Sequence, residues 1–203
     1  MKKLVASAGA AAIAAVLGAT ALPAIAAAPA QILEDPLGDS NFVNDQGTGD
    51  GSNGDQTAAD AGTVSDLLGV QLSNDKKNLT VTIQTEAAPP ATTGIGYRVR
   101  FNPDGANGAY CIAVEAYFPG ANNALTTPMA HLVDECNGGE TTPLELLGTT
   151  IYVPRSANAA FAKGATLKAP QAQAFLYSGN ETAGAEYPVA DTTKVGTDYK
   201  LKK

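Results

Sequence analysis

The sequence predicts an all-β protein: an antiparallel β-sandwich of about seven to nine strands with one short helix, preceded by a cleaved signal peptide. Three observations predict this class. Apolar and polar residues alternate along several short segments, turn-forming Gly, Pro and Asn separate those segments, and a helical pattern fits one short segment. A β-barrel is the alternative architecture.

Residues 1–30 have the layout of a secretory signal peptide. Two lysines precede an apolar run over residues 4–21, and small residues follow it. Cleavage after Ala26 or after Ala30 satisfies the small-x-small rule. The alternative is an uncleaved N-terminal anchor. Because the run is rich in Ala and both cleavage points follow it, we expect a secreted, extracellular protein with one domain over residues 31–203.

An Asp- and Gly-rich segment over residues 39–60 predicts a long loop at the start of this domain. Calcium prefers oxygen ligands from carboxylates, amide side chains and backbone carbonyls, and such a loop supplies all three. The segment is therefore a candidate calcium site, with the ligands Asp39, Asp45, Asp50, Asp55 and Asp60. Its spacing does not match the EF-hand loop, so a solvated loop without metal is the alternative.

Period-two alternation predicts the strands that follow the loop. Leu79, Val81 and Ile83 form the apolar face of one strand, and residues 95–101 form the next. Residues 109–118 are apolar on one face and mixed on the other, which indicates a central strand. Further strands are predicted over residues 68–72, 130–134, 150–153, 171–177 and 197–201, and a helix over 156–163, capped by Ser156 and ended by Gly164.

The charge of the chain argues against two classes of partner. Its formal net charge of −7 becomes −9 when Lys2 and Lys3 leave with the signal peptide. Nucleic acid and anionic membrane are therefore not expected as partners. After cleavage, no second apolar run has the length of a membrane span.

Cys111 and Cys136 are the only two cysteines, and both belong to the exported part. In an oxidising compartment such a pair forms a disulfide, here closing a loop of about 25 residues and stabilising the fold by about 3 kcal/mol. A metal or catalytic role would need further Cys or His nearby, and the chain has one His. The sequence therefore predicts a Cys111–Cys136 disulfide.

Candidate catalytic residues do not form a recognisable constellation. His131 is the only histidine, and no Gly-x-Ser-x-Gly elbow accompanies it. Paired carboxylates for glycoside hydrolysis could come from four acids, but their spacing selects no pair: Glu115, Asp134, Glu135 and Glu140. We therefore expect a protein that is not an enzyme, with a secreted hydrolase as the alternative.

Several segments carry a family resemblance: residues 34–42, 59–60, 78–83, 151–156, Asp191 and 196–199. In these segments the chain resembles secreted bacterial β-sandwich domains of actinobacterial type. The broader architecture is similar to the DOMON and family-9 carbohydrate-binding sandwiches, and this resemblance implies sugar or haem as a ligand. Met129 and His131 lie two residues apart on one predicted strand face and cannot bracket a haem, which leaves sugar.

The sequence therefore favours a secreted, non-catalytic binding or surface-associated module, with carbohydrate or a cell-wall component as partner. Sugar sites use aromatic platforms, and the chain has no Trp. Outward rings are available at Tyr117, Tyr152 and Tyr177, although packing is the commoner use of such residues. Arg98 and Arg100 share one strand face and could meet an acidic group, although an exposed polar face is the simpler expectation. A structural extracellular protein without a small ligand is a further alternative.

Overall fold

Antiparallel strands make up most of the described chain. The computed structural model describes residues 28–35, 65–87, 89, 93–103, 110–120, 127–176 and 189–202. The strands are β1 (Ala30–Glu34), β2 (Leu67–Asn74), β3 (Asn78–Thr85), β4 (Thr93–Pro103), β5 (Ile112–Gly120), β6 (Met129–Asp134), β7 (Glu140–Leu147), β8 (Thr150–Pro154), β9 (Thr166–Leu176), β10 (Val189–Thr192) and β11 (Tyr199–Lys200). The prediction of an antiparallel all-β protein is confirmed. The predicted number of about seven to nine strands is too low, because short and exposed strands lack the alternation that reveals a strand.

The strands form one continuous curled sheet, in the order β1-β2-β3-β8-β7-β6-β5-β4-β9-β10, with β11 paired to β9. β7 joins the two halves of this sheet. Its first part, up to Leu144, pairs with β6, and its last part, from Glu145 to Leu147, pairs with β8. One half therefore contains β1, β2, β3 and β8, and the other contains β6, β5, β4, β9 and β10.

The alternating apolar residues form the core, as the sequence predicts. Leu79, Val81 and Ile83 of β3 are fully buried. They belong to one apolar cluster that also contains the inward side chains of β4 and β5: Ile95, Tyr97, Val99, Phe101, Ile112, Val114, Ala116 and Phe118. Each large aliphatic or aromatic side chain in this cluster contributes about 1.5–3 kcal/mol by leaving water. The cluster therefore holds the two halves of the sheet together.

β5 is buried on both of its faces. It lies between β4 and β6, which confirms the prediction of a central strand. The side chains opposite the apolar cluster are also inaccessible to solvent: Ala113, Glu115 and Tyr117. Because charged residues are almost never fully buried unless they are paired, the second face of β5 requires a dedicated polar network.

A C-terminal segment links the two ends of the sheet. The backbone N–H of Thr197 donates to the carbonyl of Ile32 on β1, and the N–H of Gly196 donates to the carbonyl of Pro170 on β9, both at 2.8 Å. This segment therefore bridges β1, at one end of the sheet, and β9, next to the other end, and covers part of the edge of each strand.

Two buried polar side chains reinforce this closure. The carboxylate of Asp191 on β10 accepts a hydrogen bond from the backbone N–H of Leu67 on β2, at 2.8 Å. The side-chain oxygen of Asn74 accepts hydrogen bonds from the Tyr199 hydroxyl at 3.0 Å and from the Lys202 N–H at 3.1 Å. The last residues of the chain are thus tied to the end of β2.

The helix predicted over residues 156–163 is shorter than expected, a 3-10 turn over Ala159–Phe161. Its N-cap is Asn158, whose side chain accepts from the backbone N–H of Ala160 at 2.8 Å, so the predicted cap Ser156 is wrong. The amide side chain of Asn158 lies nearer the first helical N–H groups and takes the capping position. Across the described ranges, no helix has the length and apolar character needed to cross a membrane.

Candidate functional site

A pocket with a volume of about 330 Å³ opens at the ends of three neighbouring strands inside the sheet. The end of β4, the start of β5 and the end of β6 meet there because neighbouring antiparallel strands alternate in direction. Five apolar residues contribute to its lining: Pro103, Ile112, Ala159, Ala160 and Ala165. The others are the two cysteines and three polar residues: Cys111, Cys136, Asp134, Asn137 and Asn158. The pocket therefore combines an apolar wall with carboxylate and amide groups.

The Asp134 carboxylate accepts three hydrogen bonds in this pocket. Its Oδ1 accepts from the backbone N–H of Asn137 at 3.1 Å, and this bond caps the 3-10 helix Glu135–Asn137. Its Oδ2 accepts from the side-chain Nδ2 of Asn137 and of Asn158, both at 2.8 Å. Three donors therefore fix the orientation of the carboxylate, as a preorganised binding site requires.

Asn158 connects the two short 3-10 helices across the pocket. Its Oδ1 caps the second helix, while its Nδ2 donates to Asp134 at the start of the first. Gly138 ends the first helix in the left-handed conformation, at φ 81°, which a residue with a Cβ adopts less readily. The turn after β6 and the segment after β8 are thus held at a fixed spacing.

A disulfide joins Cys111 and Cys136, as predicted, with a Cα–Cα distance of 4.8 Å. Cys111 is buried just before β5, whereas Cys136 is exposed on the first 3-10 helix. The backbone N–H of Glu135 donates to the carbonyl of Cys111 at 2.8 Å beside the bond. The disulfide therefore anchors the polar turn of the pocket to the buried central strand.

The second face of β5 carries a buried ion pair. Arg98 of β4 and Glu115 of β5 are cross-strand partners, and Arg98 Nε donates to Glu115 Oε1. Arg98 is 3% exposed and Glu115 is not exposed at all. The expected exposed position of Arg98 is therefore wrong, because its carboxylate partner allows the charge to be buried. Arg100, two residues along, lies nearer solvent and contacts Glu135 at 3.2 Å.

Aromatic rings enclose this ion pair. The Tyr117 hydroxyl donates to the second oxygen of Glu115, and the Arg98 guanidinium lies 5.4 Å from the centre of the Phe175 ring. Tyr117 and Phe175 pack edge to face, with centroids 5.8 Å apart. Gly96 makes room for this packing, since a Cβ there would lie 2.1 Å from the Phe175 ring. Tyr117 therefore packs in the interior and cannot be an exposed sugar platform.

His131 borders the same cluster. It is the cross-strand partner of Glu115, and its ring lies 6.0 Å from that of Tyr117. Its buried Nδ1 makes no hydrogen bond with any described residue. Burial lowers the pKa of His131 below its ordinary value, and the negative charge of Glu115 offsets this in part. The neutral imidazole is therefore the form that fits the folded protein.

The burial of His131 predicts that the protein loses stability in mild acid. Below the ordinary histidine pKa of about 6.5, the unfolded chain takes up a proton that the folded chain resists, so the free energy of unfolding falls. We expect His131→Gln to reduce the fall between pH 7.5 and pH 5.5, measured by urea unfolding at each pH. The same fall in both proteins would contradict the assignment to His131.

The other predicted site residues lie in different surroundings. Glu135 pairs with Arg100, and Glu140 is exposed on β7. Tyr152 of β8 is half-buried, and Met129 of β6 is half-buried as well. The proposed calcium ligands, together with Tyr177, fall outside the described residues: Asp39, Asp45, Asp50, Asp55 and Asp60. Within the described ranges, no three His, Cys, Asp or Glu side chains gather as metal ligands do.

The sequence interpretation missed the two amides of the pocket. Asn137 precedes two glycines and was expected only as part of a turn, and Asn158 lies inside the segment predicted as a helix. Both residues approach Asp134, but Asn158 does so from 24 positions away in the sequence. The sequence signal that could have indicated the site is the Asp134-to-Asn137 spacing, which is typical of a capped turn.

The fold and this pocket define an all-β, disulfide-linked protein with a polar pocket at the strand ends of its sheet. Comparison with known protein families, with curated proteins and with solved structures found no match to this chain.

Proposed function

We propose that this chain is a secreted, non-catalytic binding module that takes carbohydrate, in free form or as part of the cell wall, in the pocket beside the disulfide. The observation that carries the proposal is the Asp134 carboxylate, fixed by the amides of Asn137 and Asn158 at an apolar wall. In this proposal the curled sheet is a β-sandwich of the DOMON and family-9 type.

A sugar has the chemistry that this pocket can bind. Its hydroxyl groups donate to carboxylates and accept from amides, and its C–H faces pack against apolar surface. A carboxylate has about four acceptor positions, and three described donors reach Asp134, so the group can accept a further hydroxyl. The partly exposed Pro103 and Ala160 offer apolar surface in the lining. The volume of about 330 Å³ suits a small sugar.

Secretion and calcium belong to the same proposal. The proposed signal peptide comprises residues 1–30, which lie almost entirely outside the described part of the chain. The proposed calcium site lies in the loop over residues 39–60, which is wholly outside the described part. Both follow from the sequence pattern. β1 begins at Ala30, so cleavage after Ala26 leaves the whole strand in the mature protein, and cleavage after Ala30 removes its first residue.

The test is a glycan-array and cell-wall pull-down with the mature protein, in calcium and in excess chelator. Ala159→Trp fills the pocket from an exposed position and should weaken glycan binding at least about tenfold. Ala162→Trp, three residues along and outside this pocket, is the matched control and should bind as the unchanged protein does. Equal melting temperatures would show that both variants fold.

Three outcomes would contradict the proposal: binding to no glycan or wall preparation in either condition, equal binding by the Ala159→Trp variant, or turnover of a bound glycan. The last would favour the alternative of a secreted hydrolase. A calcium contribution to the fold would raise the melting temperature in millimolar calcium relative to chelator.

A further inference from the structure

We propose that a second pocket, formed by Lys76, Arg155, Ser156 and Lys163, binds a phosphate group. This pocket has a volume of about 420 Å³ and lies where the turn before β3 meets the segment that follows β8. Phe161 and Ala162 complete its lining. It is distinct from the pocket beside the disulfide, since no described residue lines both.

Arg155 is the fixed element of this second pocket. Its Nε donates to the carbonyl of Phe161 at 3.0 Å, and its Nη1 donates to the carbonyls of Asp75 at 2.8 Å and Lys202 at 3.2 Å. These bonds orient the guanidinium and leave Nη2 without a bond to any described residue. A guanidinium held in this way loses little side-chain entropy when it binds an anion.

The charge of the described pocket lining is positive. Among the described residues three cations line it and no acid does, and none of the three forms a direct ion pair with a described residue. The carboxylate of Asp75, outside the lining, attracts Arg155 through space, but its hydrogen bonds go to the backbone N–H groups of Lys77 and Asn78, both at 2.7 Å. In a chain with a net charge of −7, such a concentration of positive charge opposes the overall field.

Phosphate fits these groups better than a carboxylate does. Three cations suit an anion with more than one negative charge and several acceptor oxygens, and the Ser156 hydroxyl adds a neutral donor. Lys76 and Lys163 are exposed and act as point charges, whereas Arg155 supplies directed N–H donors. The same chemistry would take free inorganic phosphate or the phosphodiester of an anionic polymer.

The experiment is calorimetric titration of the full chain with inorganic phosphate, glycerol phosphate, a glycerol phosphate oligomer and acetate. We expect the phosphates to bind more tightly than acetate, and tighter binding of the oligomer than of the monomers would identify a polymer as the source. Lys76→Gln/Lys163→Gln should weaken phosphate binding at least about tenfold. Lys194→Gln/Lys200→Gln makes the same charge change at exposed positions outside the pocket and should shift the affinity less than about twofold.

Ala162→Trp should also weaken phosphate binding, while Ala159→Trp should leave it unchanged, the reverse of their expected effects on glycan. The two variants therefore distinguish a wrong assignment of the phosphate pocket from a wrong assignment of the glycan pocket. Equal weakening by the two lysine pairs, equal binding of acetate and phosphate, or no phosphate binding at millimolar concentration would overturn the proposal.

Discussion

Glu115→Ala is expected to lower the free energy of unfolding by about 3–5 kcal/mol, because it removes the carboxylate that pairs with the buried Arg98 guanidinium. The same change removes the hydrogen bond that the Tyr117 hydroxyl donates to Glu115. The Phe175 ring offers the guanidinium a favourable face but cannot neutralise its charge.

Urea unfolding at pH 7.5 measures this effect. Glu145→Ala, on the exposed strand β7, is the matched control and should stay within about 0.5 kcal/mol of the unchanged protein. Arg98→Met/Glu115→Leu removes both charges and should be more stable than the single variant, because neither charge of the pair is then buried without the other. A loss below about 1 kcal/mol in Glu115→Ala would contradict the expectation that the buried Arg98 charge depends on Glu115.

Removal of the disulfide has the second largest expected effect. Cys111→Ala/Cys136→Ala frees a loop with a sequence separation of 25 residues. The free energy of unfolding should fall by about 3 kcal/mol, since the unfolded chain regains the conformations that the bond excluded. The turn carrying Asp134 would also lose its covalent link to β5, so glycan binding should weaken along with stability.

Reductant supplies the control for this prediction. The unchanged protein should lose a similar amount of stability in excess dithiothreitol, whereas the double variant should not respond to the reagent. A melting temperature that is the same in the variant and in the oxidised protein would show that the bond does not stabilise the fold. A variant that responds to the reagent would show that the loss arises elsewhere.

The sequence predicts the strands whose two faces differ in polarity. β3 and β4 alternate apolar and polar residues because one face of each packs into the core. β7 was not predicted, since most of Glu140–Leu147 is exposed and its apolar side chains that pack against the core are limited to Leu144 and Leu146. β10 is four residues long, too short for a pattern, and β1 overlaps the predicted signal peptide.

The candidate sites were harder to predict because they depend on contacts between distant segments. The sequence identified Glu115 only as a candidate acid and did not predict its burial. A charged residue by itself indicates an exposed face, and the burial of Glu115 depends on Arg98 on the neighbouring strand. Asn158 and Asp134 come from turns whose spacing in the sequence has no periodic relation. Lys76 and Lys163 belong to segments that meet because β3 pairs with β8, a contact between distant parts of the sequence.

Closure of the sheet by the C-terminal residues also sets the order and speed of folding. The hydrogen bond between Leu67 and Asp191 spans 124 residues, and that between Asn74 and Lys202 spans 128. Contacts this far apart require the ordering of a long loop before they contribute energy, and chains dominated by such contacts fold slowly. During synthesis, the two ends of the sheet cannot join until residues 191–202 have been made.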